Sequence, residues 1–118
     1  MQIPLINQTV KACIELCKEC HAMCESTIQY CLQLGGPHVE ASHLRLMRDC
    51  AQICQTGTDF MLRGSPLHTL VCGVCAQICL RCAESCEHVG PGDAQMKACA
   101  DLCRQCAQSC QQMAQARV

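Results

Sequence analysis

The stretch CIELCKECHAMC, residues 13–24, decides how this chain folds. Its four cysteines are spaced by four, three and four residues, the interval at which side chains recur on one face of an α-helix. The same stretch contains CKECH, which matches the C-x-x-C-H pattern of c-type haem attachment through Cys17, Cys20 and His21. The rest of the chain decides between a haem site and one turn of a longer cysteine stripe.

Cysteine dominates the composition. Sixteen of the 118 residues are Cys, whereas the chain has one Phe, one Tyr and no Trp. This content exceeds the roughly 8–10% at which cysteine signals an unusual scaffold. The net charge is −1 and no basic run with interleaved aromatic residues is present, so nucleic acid is not expected as a partner.

The first ten residues, MQIPLINQTV, lack the charged region and the long apolar region of a signal peptide. No uninterrupted apolar run approaches the roughly 18 residues of a membrane span. Taken as the true N-terminus, this segment predicts a cytoplasmic protein with no membrane partner. In a reducing cytosol, abundant cysteines are more typical of metal ligands than of structural disulfides.

Three clusters of glycine and proline interrupt the chain: Gly35-Gly36-Pro37, Gly64-Ser65-Pro66 and Gly90-Pro91-Gly92. Between them, good helix formers predominate and no alternation of period two occurs. The sequence therefore predicts an all-α protein, with short connections that make neighbouring helices antiparallel in an up-down-up-down four-helix bundle. The expected single domain spans 1–118, with helices at about 5–34, 38–63, 66–88 and 93–115.

The cysteines form one stripe on each helix, in steps of three and four residues that are typical of a helix seam. The stripes contain Cys13, Cys17, Cys20, Cys24 and Cys31 in helix one, Cys50 and Cys54 in helix two, Cys72, Cys75, Cys79, Cys82 and Cys86 in helix three, and Cys99, Cys103, Cys106 and Cys110 in helix four. Methionine and histidine extend these seams. The pattern predicts a core lined by cysteine, with one mouth at Met61, His68 and Met113.

Antiparallel packing predicts how the stripes stack in layers. From the end that holds both termini, the expected layers are Cys13, Cys72 and Cys110 with Gly57; Cys17, Cys54, Cys75 and Cys106; Cys20, Cys50, Cys79 and Cys103; and Cys24, Met47, Cys82 and Cys99. The far mouth is expected to hold His43, Cys86 and Met96, with Cys31, His38 and His88 beyond.

The haem pattern is explained by this stripe. C-x-x-C recurs at 72–75, 79–82 and 103–106 without a following histidine. Cys17 and Cys20 are thus members of a continuous seam, and His21 falls one position off it, at a helix boundary or on the surface. The spacing of CKECH is a coincidence.

A thiol-lined core is compatible with several chemistries. Plain packing is disfavoured because Cys buries less area than Leu, and many disulfides are unexpected on an inward seam. A thioredoxin-type dithiol enzyme needs a preceding strand, and none is predicted. Zinc and iron–sulfur clusters both take about four thiolates, so a four-Cys layer remains open to either, with electron transfer as a function.

Copper fits the stripe best. Soft sulfur ligands favour Cu(I), which accepts two or three thiolates, and one thiolate can bridge two ions. About 16 Cu⁺ ions would neutralise about 16 thiolates, whereas as many Zn²⁺ ions would leave a large buried positive charge. The sequence therefore predicts many Cu(I) ions per chain, roughly one per cysteine.

The C-x3-C-x2-C-x3-C stripes of helices one, three and four resemble those of the bacterial copper storage proteins, and the resemblance covers nearly the whole chain. Without an export signal, the chain is similar to their cytosolic branch. The resemblance implies copper storage or buffering without catalysis, in a homotetramer of four-helix bundles with Cu(I) along each lumen. It also implies that ions enter past one of two sets of ligands, either Met61, His68 and Met113 or His43, Met47 and Met96. Helix two departs from the family pattern, because it has only Cys50 and Cys54.

Overall fold

The computed structural model describes residues 7–115, and within that range the chain forms four α-helices. They are α1 (Gln8–Leu34), α2 (Ala41–Leu62), α3 (His68–Val89) and α4 (Ala94–Gln115), with a short 3-10 helix, Gly36–Val39, between α1 and α2. α1 and α3 each pack against both α2 and α4. The bundle measures 55 × 24 × 21 Å. The predicted all-α four-helix bundle is confirmed.

The helices begin and end where local groups satisfy the free backbone atoms. Asn7 Oδ1 accepts a hydrogen bond from the Val10 N–H at 2.9 Å, which caps α1. At the other end of α1, Gly35 adopts a φ of 71°, and its N–H donates to the Cys31 carbonyl. α2 begins later than expected because residues 36–39 form the 3-10 helix. Residues 5 and 6, where helix one was expected to begin, lie outside the described residues.

The hairpins that join the other helices are also tight. The Ser65 hydroxyl accepts from the Leu67 N–H at 3.1 Å within the turn, and α3 begins at His68 rather than at the predicted residue 66. Asp93 Oδ1 accepts from the N–H groups of Gln95 and Met96 and thereby caps α4. These caps set where each cysteine stripe starts along the bundle axis.

Sulfur fills the core. All sixteen cysteines are fully buried, as are Met47 and Met96. Alanines beside the stripes are also buried, which allows close approach of the helices, and partly buried Ile53, Ile78 and Leu102 flank the column. Because Cys buries less apolar area than Leu or Phe, this interior supplies less hydrophobic stabilisation than an ordinary core of its size. The fold thus places thiols where most proteins place large apolar side chains.

By length and composition, α3 is apolar enough to cross a membrane, with a mean hydropathy of 1.3 over its most apolar window. No other helix between residues 7 and 115 is. The sequence was expected to contain no apolar run of that length, and α3 meets this measure through its mean hydropathy. The reason is that cysteine counts as apolar, and the five cysteines of α3 all lie in the bundle core. The hydropathy of α3 therefore reflects its buried seam.

Candidate metal centre

The sixteen thiols are all free, although many lie close together. The shortest separation is 3.5 Å, between the Sγ atoms of Cys17 and Cys110. A disulfide would need about 2.05 Å. Two sulfurs on one ion, each with a bond of about 2.3 Å, lie at most about 4.6 Å apart. The thiols thus lie within the distance at which two sulfurs can bind one ion.

The central thiols form four overlapping groups, each with its four sulfurs within 4.8 Å of one another. In order along the bundle axis, the groups are Cys17, Cys75, Cys106 and Cys110; Cys54, Cys75, Cys79 and Cys106; Cys20, Cys50, Cys54 and Cys79; and Cys20, Cys24, Cys50 and Cys103. Each group shares two cysteines with the next. We call this arrangement the thiol ladder.

The ladder corrects the predicted layers. Flat layers were expected. In the structure, Cys110 takes the place predicted for Cys54 in the group with Cys17, Cys75 and Cys106. Cys54 belongs instead to the next two groups along the axis. Each stripe advances by three or four residues, about 4.5–6 Å, so the sulfurs of facing helices interdigitate instead of lying level. The staggering produces the shared pairs.

The end of the bundle that holds the start of α1 and the end of α4 is called the terminal end. Here Cys13, Cys72 and Cys110 form a group of three buried thiols, as the predicted layer required. Met61 and Met113 are also buried, whereas His68 is half-buried. The His68 Nδ1–H donates to the Ser65 carbonyl at 2.8 Å, which leaves Nε2 as its potential ligand atom.

The opposite end, called the far end, brings three different ligand types together. Cys31 Sγ lies 3.6 Å from His43 Nε2 and 3.8 Å from Met96 Sδ. His43 Nδ1 forms a 2.7 Å hydrogen bond with the Ser85 hydroxyl. With the Nδ1 proton donated to Ser85, the Nε2 lone pair faces Cys31. Thiolate, imidazole and thioether are all ligands that Cu(I) accepts.

Burial keeps the far end neutral when no metal is bound. It raises the pKa of the Cys31 thiol to about 11 and lowers the pKa of His43. In the ladder, the hydrogen bond with Cys20 raises the pKa of Cys103, and the bond with Cys110 raises the pKa of Cys106. A metal ion that binds these sulfurs must displace their protons.

The remaining predicted histidines lie in three different places. His88, expected beyond the far mouth, is exposed in the last turn of α3. His38 lies at the far end, with Nε2 3.8 Å from Asp93 Oδ2. His21 lies on the boundary of α1 and α2, as predicted, with Nδ1 2.7 Å from the Ala51 carbonyl oxygen. This position of His21, outside the thiol column, agrees with the rejection of a haem site.

Two features of the far end were not predicted. Ser85, which is hydrogen-bonded to His43, lies off the cysteine stripe of α3. This contact can be identified only from the packing of α2 against α3. Tyr30 donates a 2.6 Å hydrogen bond to Asp93, although the sequence marked Asp93 only as a helix start. Both contacts depend on the axial register between helices.

Comparison with known proteins agrees with this geometry. The family model described as "Copper storage protein" matches residues 6–115. A crystal structure of a Nitrosospira multiformis protein is 50% identical, with a TM-score of 0.85 over 91% of this chain and 95% of that one. The Cu(I)-bound structure of the copper storage protein BsCsp3 is 34% identical, with a TM-score of 0.83 over 91% and 99%.

A Bacillus subtilis protein described as an uncharacterized cysteine-rich protein, YhjQ, is 35% identical over 81 residues, which are 69% of this chain and 75% of that protein. The family match spans nearly all of the described bundle, including every cysteine of the four stripes. The chain therefore belongs to the copper storage protein family.

Proposed function

We propose that this protein stores Cu(I) as a column of ions bound by all sixteen cysteines. The observation that carries the proposal is the sharing of two cysteines between each four-thiol group and the next. A thiolate that belongs to two groups can bridge two ions, and Cu(I) forms such bridged, low-coordinate arrangements. The Cu(I)-bound structure of BsCsp3, a relative of the same fold, supports this choice of ion.

The same sharing disfavours isolated zinc or iron–sulfur sites. A tetrahedral site needs four thiolates of its own. Among the four overlapping groups, no more than two have no cysteine in common, so separate sites there would use eight of the ten ladder cysteines and leave two unbound. Bridging Cu(I) ions leave no ladder thiol without a metal.

Charge balance sets the capacity. Each Cu⁺ that replaces one thiol proton leaves the charge of the core unchanged, so filling requires no buried counter-ion. With one Cu(I) bound per cysteine and one thiol proton displaced per ion, the expected capacity is about 16 Cu(I).

Methionine and histidine are proposed to extend the column at both mouths. At the terminal end these ligands are Met61, His68 and Met113; at the far end they are His43, Met47 and Met96. Support at the far end comes from the contacts of Cys31 with His43 and Met96. Neutral thioether and imidazole ligands bind Cu(I) more loosely than thiolate, which suits ions in passage.

An anaerobic titration of the fully reduced protein with Cu(I), against a chromophoric chelator, tests the proposal. We expect the chain to bind more than about ten ions before the chelator competes, with about one proton released per ion. Saturation at four ions or fewer would contradict it. A parallel titration with Zn²⁺ against a zinc chelator, and one with iron and sulfide read by absorbance near 400 nm, would then identify the alternative.

We place this storage in the cytosol, because sixteen free thiols persist in a reducing compartment. No catalytic role is assigned to the core, since all its thiols are buried and none is set apart as a nucleophile. Treatment of the metal-free protein with a thiol reagent is expected to modify the cysteines slowly and together. One thiol that reacts far faster than the rest would indicate a redox enzyme instead.

Residues 1–118 are proposed to form one domain that assembles as a homotetramer of bundles. Leu70, Val74 and Leu80 on the outer face of α3 are 69%, 50% and 42% exposed, which suits burial against a second copy. Light scattering on the protein as it elutes from a size-exclusion column is expected to give four times the chain mass of 12.9 kDa. A monomer mass would refute the assembly without affecting the storage proposal.

A further inference from the structure

Three segments of the chain meet on one carboxylate beside the far-end ligands. Tyr30, near the end of α1, donates its hydroxyl to Asp93 Oδ2 at 2.6 Å. His38, in the 3-10 helix, places Nε2 3.8 Å from the same oxygen. Asp93 Oδ1 accepts from the first N–H groups of α4, including that of Met96. One side chain thus ties the α1 end to the α4 start, and His38 of the connecting segment lies beside it.

The cluster adjoins the far-end ligands along the chain. Tyr30 precedes Cys31, and the Met96 N–H is bound by Asp93 while the Met96 sulfur lies 3.8 Å from Cys31. The Tyr30 hydrogen bond holds the pKa of Asp93 below its usual range, so the carboxyl group is charged at neutral pH. A charged acceptor makes this a short, strong hydrogen bond.

The connecting segment itself is held weakly. His38 Nε2 is buried but has no hydrogen-bond partner, and its ring meets Tyr30 edge-on with centroids 6.2 Å apart. The backbone bonds within the segment are long, 3.3 Å for both His38 N to the Gly35 oxygen and Glu40 N to the Pro37 oxygen. Gly35 and Gly36 both have positive φ, so two flexible residues join this segment to α1.

From this arrangement we propose that the Tyr30–Asp93 hydrogen bond is a latch that controls the passage of Cu(I) through the far mouth. When the bond breaks, the end of α1 and the start of α4 are free to separate, which opens the contact between Cys31 and Met96. The inference rests on the proposed storage of Cu(I). A latch of this kind sets the rate at which ions pass and leaves the number of binding sites unchanged.

The test compares Tyr30→Phe and Asp93→Asn with the wild type. Tyr30→Phe removes only the hydroxyl and keeps the ring against His38. Asp93→Asn keeps the cap of α4, because Asn is as good an N-cap as Asp, but removes the charge that Tyr30 contacts. Glu87→Gln is the matched control, because it weakens an exposed bond between α3 and α4, that of Arg104 with Glu87, in which neither Tyr30 nor Asp93 takes part.

Two rates are measured by stopped flow in the absence of oxygen: loading of the reduced, metal-free protein with Cu(I), and removal of Cu(I) from the loaded protein by excess chelator. We expect both rates to rise at least fivefold in Tyr30→Phe and in Asp93→Asn, by the same factor, with unchanged capacity and affinity. A residue that only supports the fold would change affinity or thermal stability without this equal acceleration. Glu87→Gln should match the wild type.

The outcomes separate the two proposals. Unchanged rates in both latch variants, with full capacity retained, would overturn the latch and leave storage intact. Binding of four ions or fewer by the wild type would overturn storage itself. Circular dichroism of each variant checks that its helix content matches the wild type before the rates are compared. If one of the two latch variants unfolds, the other still tests the proposal.

Discussion

The two ends of the bundle bring potential copper ligands together in different ways. At the far end, Cys31, His43 and Met96 are buried; His43 is hydrogen-bonded to Ser85, and the Met96 N–H donates to Asp93. At the terminal end, three thiols meet, and the nearest histidine is half-buried. The far end is closely packed around mixed ligands, whereas the terminal end has space beside Gly57. The comparison indicates that packing, more than ligand type, distinguishes the two mouths.

Gly90 gives the largest expected effect. A Cβ at this position would lie 2.5 Å from Met96 Cγ and 2.9 Å from Met96 Cβ, so the start of α4 would have to shift. We expect Gly90→Ala to lower the free energy of unfolding of the reduced, metal-free protein by about 1–3 kcal/mol, the usual cost of overpacking. Urea denaturation followed by circular dichroism measures this difference.

Gly57, in the seam of α2 at the terminal end, is the matched control. A Cβ there would meet only Val71 Cγ1 within 4 Å, at an ordinary 3.9 Å. Because Gly lowers helix propensity, Gly57→Ala should raise the free energy of unfolding by up to about 1 kcal/mol. Equal destabilisation by Gly57→Ala and Gly90→Ala would contradict the inferred difference in packing between the two ends.

The space beside Gly57 also predicts a gain of function. Gly57→Cys would add a thiol next to Cys13, Cys72 and Cys110, where α2 contributes none. We expect the Cu(I) capacity to rise by about one ion, with Gly57→Ala unchanged. Chelator competition at saturating copper measures the count. A count equal to that of Gly57→Ala would show that the space is not open to the column.

Much of this architecture follows from local sequence. The spacing of cysteines along α1, α3 and α4 predicts both the helices and their inward face, because steps of three and four residues match the helix repeat. Gly35 and Gly90 mark helix ends for the same local reason. The three-thiol group of Cys13, Cys72 and Cys110 also follows, since antiparallel hairpins with short connections bring helix ends level.

Contacts that depend on the axial register between helices could not be predicted from the spacing of residues along one helix. The shared pairs of the ladder arise because stripes on facing helices are offset by a fraction of a turn, which residue spacing does not specify. The bond between His43 and Ser85 and the bond between Tyr30 and Asp93 join residues 42 and 63 positions apart. The 3-10 helix was missed because Gly36 and Pro37 read only as a break between helices.

The most direct test of the account is a crystal structure of the Cu(I)-loaded protein with anomalous scattering at the copper edge. The account predicts copper along the whole column, from Cys13, Cys72 and Cys110 to Cys31, His43 and Met96. It also predicts ions bridged by the shared pairs Cys75 with Cys106, Cys54 with Cys79, and Cys20 with Cys50. Copper confined to one or two isolated four-thiol sites, or found only on the surface, would contradict it.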